Sequence, residues 1–96
     1  MIPFDKRTGY IWINGVYKDW KDCKTHVLNH GLHYGSCVFE GIRIYDGKIF
    51  KLEEHTERLF ESAKILDLNI PFEKKEINEI TRQLTIKQKV YNGYIR

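Results

Sequence analysis

The spacing of apolar positions changes twice along this 96-residue chain. Near the start, Tyr10-Ile11-Trp12-Ile13 is a run of aromatic and β-branched residues and predicts a strand. Asn14-Gly15 follows, a pair that tolerates positive φ at both turn positions, and Val16-Tyr17 then predicts the returning strand. Residues 18–24 are polar apart from Trp20 and Cys23 and predict a connecting loop. Further on, residues 41–45 (GIRIY) predict another strand, Asp46-Gly47 a second hairpin turn, and residues 48–51 (KIFK) its partner. Together these hairpins predict a small antiparallel meander.

From Leu52 the period lengthens. Leu52, Leu59, Phe60, Ala63 and Leu66 fall at helical spacing, and Glu53 and Glu54 sit where the dipole of a first helical turn favours negative charge. The stretch from Asp67 to Pro71 ends that helix, because the residue before a proline avoids helical backbone. A second helix is predicted over about residues 73–90, with Ile77, Ile80 and Leu84 on one face and Asn92-Gly93 as its stop. Tyr94-Ile95-Arg96 then resumes the alternation of a strand. Hairpins followed by helices define an α+β domain: an antiparallel sheet of hairpins with two helices.

One stretch fits no single period. Residues 29–43 read NHGLHYGSCVFEGIR. His26, His30 and His33 would share one helix face, as metal ligands do, but Gly31 and Gly35 weaken a helix and the set lacks further ligands, so no metal site is expected. The apolar neighbours of Cys37 suggest a buried, inert thiol. Gly31, Gly35 and Gly41 among bulky residues suggest turns or the close approach of another group. Arg58 lies about 100° round the helix from Leu59. It either offers a planar fork to a phosphate or carboxylate, or pairs with Glu54 or Glu61 on the helix surface. Tyr94 and Arg96 would share one side of a strand, a fair receptor for a carboxylate.

Composition narrows the classes. Hydrophobic residues make up 42% and charged residues 30%, ordinary for a folded domain, and 96 residues suffice for one small domain. The net charge of +3 comes from scattered basic residues, without the stripe that nucleic-acid binding needs. No apolar run is long enough to cross a bilayer, and the N-terminus lacks a signal-peptide pattern, so a cytoplasmic location is expected. In that reducing compartment Cys23 and Cys37 are expected to stay unpaired. The abrupt end on Tyr94-Ile95-Arg96, without a polar tail, suggests the front of a longer protein.

Taken in order, HGLHYGSCVFEGIR, DGKIF, HTERL and YIR resemble the N-terminal domain of branched-chain amino-acid aminotransferases, fold-type IV enzymes that use pyridoxal 5'-phosphate. The likeness covers nearly the whole chain, so residues 1–96 would be the N-terminal small domain of a two-domain enzyme. D-amino-acid aminotransferases and aminodeoxychorismate lyases share this small domain, but VFEGIR looks more like the branched-chain enzymes.

The resemblance assigns expected roles. Arg58 would bind the cofactor phosphate. Tyr34 and Phe39 would line the substrate side-chain pocket, with Tyr34 reaching into a neighbouring subunit and so implying at least a homodimer. Gly41 would let substrate approach the strand backbone. Tyr94 and Arg96 would contact substrate carboxylates, Arg96 the distal carboxylate of glutamate or 2-oxoglutarate, and Arg43 would lie near the same pocket. The implied reaction is ping-pong, carrying the amino group of leucine, isoleucine or valine by way of the cofactor to 2-oxoglutarate. The lysine that forms a Schiff base and the acid that faces the pyridine nitrogen belong to the family's second domain, so residues 1–96 alone are expected to be inactive. Cys37 stands at a small-residue position of the motif and Gly31 where relatives commonly carry alanine. A non-catalytic dimerisation or ligand-binding module is the alternative from another class.

Overall fold

The computed structural model describes residues 2–96. Strand β1 (Tyr10–Ile13) pairs antiparallel with β2 (Val16–Asp19), Tyr10 opposite Asp19 and Ile13 opposite Val16. Asn14 and Gly15 both take positive φ, 50° and 92°, as the tight turn requires. The second strand runs two residues further than predicted. Lys18 and Asp19 are polar but pair with β1 all the same, since both sides of this ribbon are largely exposed and ask for no apolar alternation. A 3-10 turn, Trp20–Asp22, follows.

A short helix α1 (His30–Tyr34) occupies the mixed stretch, where its glycines argue against one. Capping outweighs them. The Asn29 side chain accepts from the Leu32 amide at 3.3 Å, and Gly35 closes the turn in the left-handed conformation with φ 70°.

Strand β3 (Ile42–Tyr45) lies between β4 (Lys48–Ile49) and β5 (Gly93–Ile95), antiparallel to both. The expected single meander is therefore two separate sheets, one of two strands and one of three. The chain's last strand, not the first hairpin, completes the larger sheet. Asp46 and Gly47 form its turn, both at positive φ. β4 stops early because Lys51 turns left-handed (φ 53°) to start α2 (Leu52–Ile65).

The core sits between the three-stranded sheet and the helices. Ile42, Ile44, Leu52 and Ala63 are buried, Ile44 to 1% exposure. Thr56 is buried too, its hydroxyl donating to Asn78 Oδ1 of α3 (Lys74–Lys87). Ion pairs from Lys74 to Glu57 (2.8 Å) and from Arg82 to Glu53 reinforce the contact of the two helices. Leu66, expected on the buried stripe, lies past the end of α2 and is exposed. The second helix ends at Lys87, before the predicted Asn92-Gly93 stop, because Lys89 turns to φ 54°. The first hairpin packs on α3: Gln88 Oε1 accepts from the Tyr10 amide at 2.8 Å, and Trp12 meets Phe72 edge-on at 4.9 Å.

Candidate functional site

The backbone alternation of β3 decides where each candidate side chain goes. Ile42 and Ile44 turn to the core; Arg43 and Tyr45, alternating with them, turn to solvent. Tyr94 stands directly opposite Arg43, and Ile95 opposite Ile42. Gly41, Arg43, Tyr94 and Arg96 therefore belong to one open face of the sheet. The Tyr94 phenol leans over Gly41: a Cβ built there would lie 2.9 Å from Tyr94 Cζ, with the hydroxyl closer still. The close approach expected at Gly41 is thus made by Tyr94, the diagonal cross-strand neighbour. At the edge of this face the Arg96 guanidinium stacks 4.3 Å above the Phe39 ring. Phe39 is exposed, and so is Tyr34, at 75%, on the far side of the Gly35 turn.

Glu40 points the other way. Its neighbours Phe39 and Gly41 belong to the open face, so its carboxylate turns toward α2. There it meets two residues one helical turn apart, His55 and Arg58. Arg58 Nε donates to Glu40 Oε2 and Nη2 to Oε1, both at 2.6 Å, a two-point fork. His55 Nδ1 donates to the same Oε1 at 2.7 Å. The Glu40 side chain is only 8% exposed, whereas that of Arg58 is 64% exposed. The hydrogen bonds from Arg58, joined by His55, hold the Glu40 carboxyl down at about 2 against the opposing effect of its burial. Glu40 in turn raises the pKa of Arg58, which stays charged.

The alternative expected for Arg58, a surface pair with Glu54 or Glu61, does not form; its partner comes from across the fold. Neither Glu40 nor His55 was assigned a role from the sequence, although a signal was present. Alternation that sends Phe39 and Gly41 outward sends Glu40 inward, and the three-residue spacing of His55 and Arg58 lets one carboxylate serve both.

A cleft of about 250 Å³ is lined by Ile42, Ile95, Leu52 and Ile77, with Glu40 and His55, and reaches Phe39 and Arg96 at the edge of the sheet. A larger hollow of about 530 Å³, near Phe60 and Ile70, holds none of the candidate residues. Cys37, expected to be buried, is exposed: its Cβ lies beside Gly31, while its neighbours Ser36 and Val38 are the half-buried residues of this segment. Both cysteines are free. The histidines of the mixed stretch have local partners: His26 Nδ1 accepts from the Leu28 amide at 3.0 Å, His33 Nε2 donates to the Val27 carbonyl at 2.6 Å, and His30 packs on Tyr34. Among the described residues no group of three potential metal ligands occurs.

A three-stranded sheet with a charged, aromatic open face and an outward-held arginine beneath its edge is the geometry of a small-molecule site. The family profile described as amino-transferase class IV matches residues 37–96, and the chain belongs to this family. It is 48% identical over 94 residues to the branched-chain-amino-acid aminotransferase of Pseudomonas aeruginosa, covering 94% of this chain and 31% of the relative. The crystal structure of the Escherichia coli branched-chain amino acid aminotransferase superposes with a TM-score of 0.87 at 40% identity, covering 92% of this chain and 30% of that one. The crystal structure of the T.th. branched-chain amino acid aminotransferase with pyridoxamine 5'-phosphate gives the same TM-score of 0.87 at 40% identity, again covering 92% and 30%. The chain thus spans about a third of the length of the relatives it matches.

Proposed function

We propose that these residues are the N-terminal small domain of a branched-chain amino-acid aminotransferase, and that the complete protein moves the amino group of leucine, isoleucine or valine to 2-oxoglutarate. The observation that carries this reading is the joint placement of Arg58 and the open sheet face. Glu40 occupies one edge of the Arg58 guanidinium, and the remaining N–H groups have no partner among the described residues. A guanidinium so presented fits a phosphate. Phe39 at the sheet edge and Tyr34 beyond the Gly35 turn offer apolar surface for a branched side chain, while Tyr94 and Arg96 offer a phenol and a guanidinium for carboxylates. Arg43, opposite Tyr94, adds positive charge to the same face.

Pyridoxal 5'-phosphate, when bound, supplies the electron sink that lets an amino acid lose its α-proton. Within this chain Arg58 would hold its phosphate and Tyr34, Phe39, Gly41, Arg43, Tyr94 and Arg96 would shape the substrate pocket. The Arg96–Phe39 stack gives the pocket a dual character: the ring suits leucine, and the cation suits the distal carboxylate of glutamate. At least a homodimer is proposed, supported by the exposure of the apolar Val27, Leu28 and Leu32 together with Tyr34 in one short segment. The cytosol is the proposed compartment, in keeping with two free cysteines.

The test is amino transfer by the complete protein loaded with pyridoxal 5'-phosphate. Leucine with 2-oxoglutarate should yield glutamate. Transfer from D-alanine but not leucine, or lyase activity on aminodeoxychorismate, would reassign the site within the family. Failure of every donor in cofactor-loaded protein would favour the non-catalytic module.

A further inference from the structure

We infer that Glu40 and His55 are positioning residues for Arg58, fixing the plane of its guanidinium so that its outer edge meets the cofactor phosphate. This inference rests on the reading of Arg58 as the phosphate anchor. Three observations support it. Arg58 has carboxylates available four residues before it and three after it on its own helix, Glu54 and Glu61, yet its fork closes on Glu40 of another segment. A surface pair along the helix would leave the arginine mobile, whereas two parallel hydrogen bonds to a carboxylate from across the fold set both its position and its plane. Glu40 is itself immobilised, 8% exposed and held a third time by His55. Finally, Glu40 is bonded in sequence to Phe39 and Gly41, so one residue ties the arginine to the wall proposed for the substrate.

A carboxylate beside an anion site has a cost, since it repels the phosphate. The two possible roles of Glu40 therefore predict opposite signs. If charge alone mattered, Glu40→Gln would make the site more positive and tighten phosphate binding. If orientation matters, the same change loosens the fork and weakens it.

The experiment uses the complete protein, stripped of cofactor and titrated with pyridoxal 5'-phosphate and, separately, with pyridoxal, which lacks the phosphate. Glu40→Gln should weaken the phosphate-bearing probe about tenfold, in line with loss of a charge-assisted fork, and leave pyridoxal binding unchanged. Arg58→Ala should weaken the phosphate-bearing probe more, and adding Glu40→Gln to it should cost nothing further. His55→Leu, which keeps the carboxylate and removes one donor, should shift binding in the same direction by a smaller factor, and it serves as the test should Glu40→Gln fold poorly. Tighter or unchanged binding of pyridoxal 5'-phosphate in both Glu40→Gln and His55→Leu, with Arg58→Ala still impaired, overturns the positioning role and leaves the anchor standing. Equal weakening of both probes by the variants assigns them a merely structural role and also overturns it. Unchanged binding in Arg58→Ala overturns the anchor reading itself.

Discussion

The two faces of the three-stranded sheet carry different burdens. On one, Ile42, Ile44 and Ile95 turn toward Leu52 and Ile77 of the helices. On the other, Gly41, Arg43, Tyr94 and Arg96 leave charge and aromatic surface open. Burial is the stabilising influence on the first face, since removing apolar surface from water is what a small domain depends on. The second face adds little stability, and its side chains are free to be chosen for what they bind. Glu40 crosses between the two: its backbone lies in the open edge while its carboxylate reaches the helix. The residues proposed to meet substrate thus lie where a substitution harms folding least.

The largest expected effect breaks the core face. Ile44→Ala removes a side chain that is 1% exposed and should cost about 2–5 kcal/mol in chemical denaturation of the complete protein. A cost near zero would mean that this face is not the core. Gly41→Ala probes the open face instead. The added methyl must displace the Tyr94 ring, whose free end can swing outward, so the stability cost should be about 1 kcal/mol or less while substrate affinity falls. Comparing substrate affinity of Gly41→Ala with that of Tyr94→Ala sharpens the point, because a shared cause makes the two losses less than additive.

A third effect is read as its loss in acid. Folding holds the Glu40 carboxyl at about 2, below its ordinary 4.5, so the stabilisation from its pairing is complete above about pH 4.5 and disappears as pH falls through about 2. Unfolding measured from pH 6 down to 2 should therefore show wild type and Glu40→Gln converging across that window. A constant gap would place the stabilisation outside this carboxylate.

Much of this division could be read from the chain. Both hairpin turns, both long helices and the final strand follow from period and turn residues, and the alternation of Ile42-Arg43-Ile44-Tyr45 already separates core from open face. Which strands share a sheet could not be read this way. The partner of β3 lies about 50 residues away, and local pattern carries no record of such pairing. The short helix at His30 is hidden because caps at both of its ends outweigh Gly31 in its first turn. The role proposed for Arg58 comes only through the resemblance of HTERL to a family motif, and its orientation only through the structure, which brings Glu40 and Arg58, 18 residues apart, within 2.6 Å. Cys37 misled because apolar neighbours in sequence do not guarantee cover in space.

If the open face binds substrate and contributes little to stability, Arg96→Met in the complete protein shows it most directly. The substitution keeps a long side chain over Phe39 while removing the cation. KM for 2-oxoglutarate should rise about tenfold or more, since a charge-assisted carboxylate contact is lost, while KM for leucine and the unfolding midpoint stay as they were. A lowered midpoint, or an equal loss for both substrates, would contradict this division of the sheet.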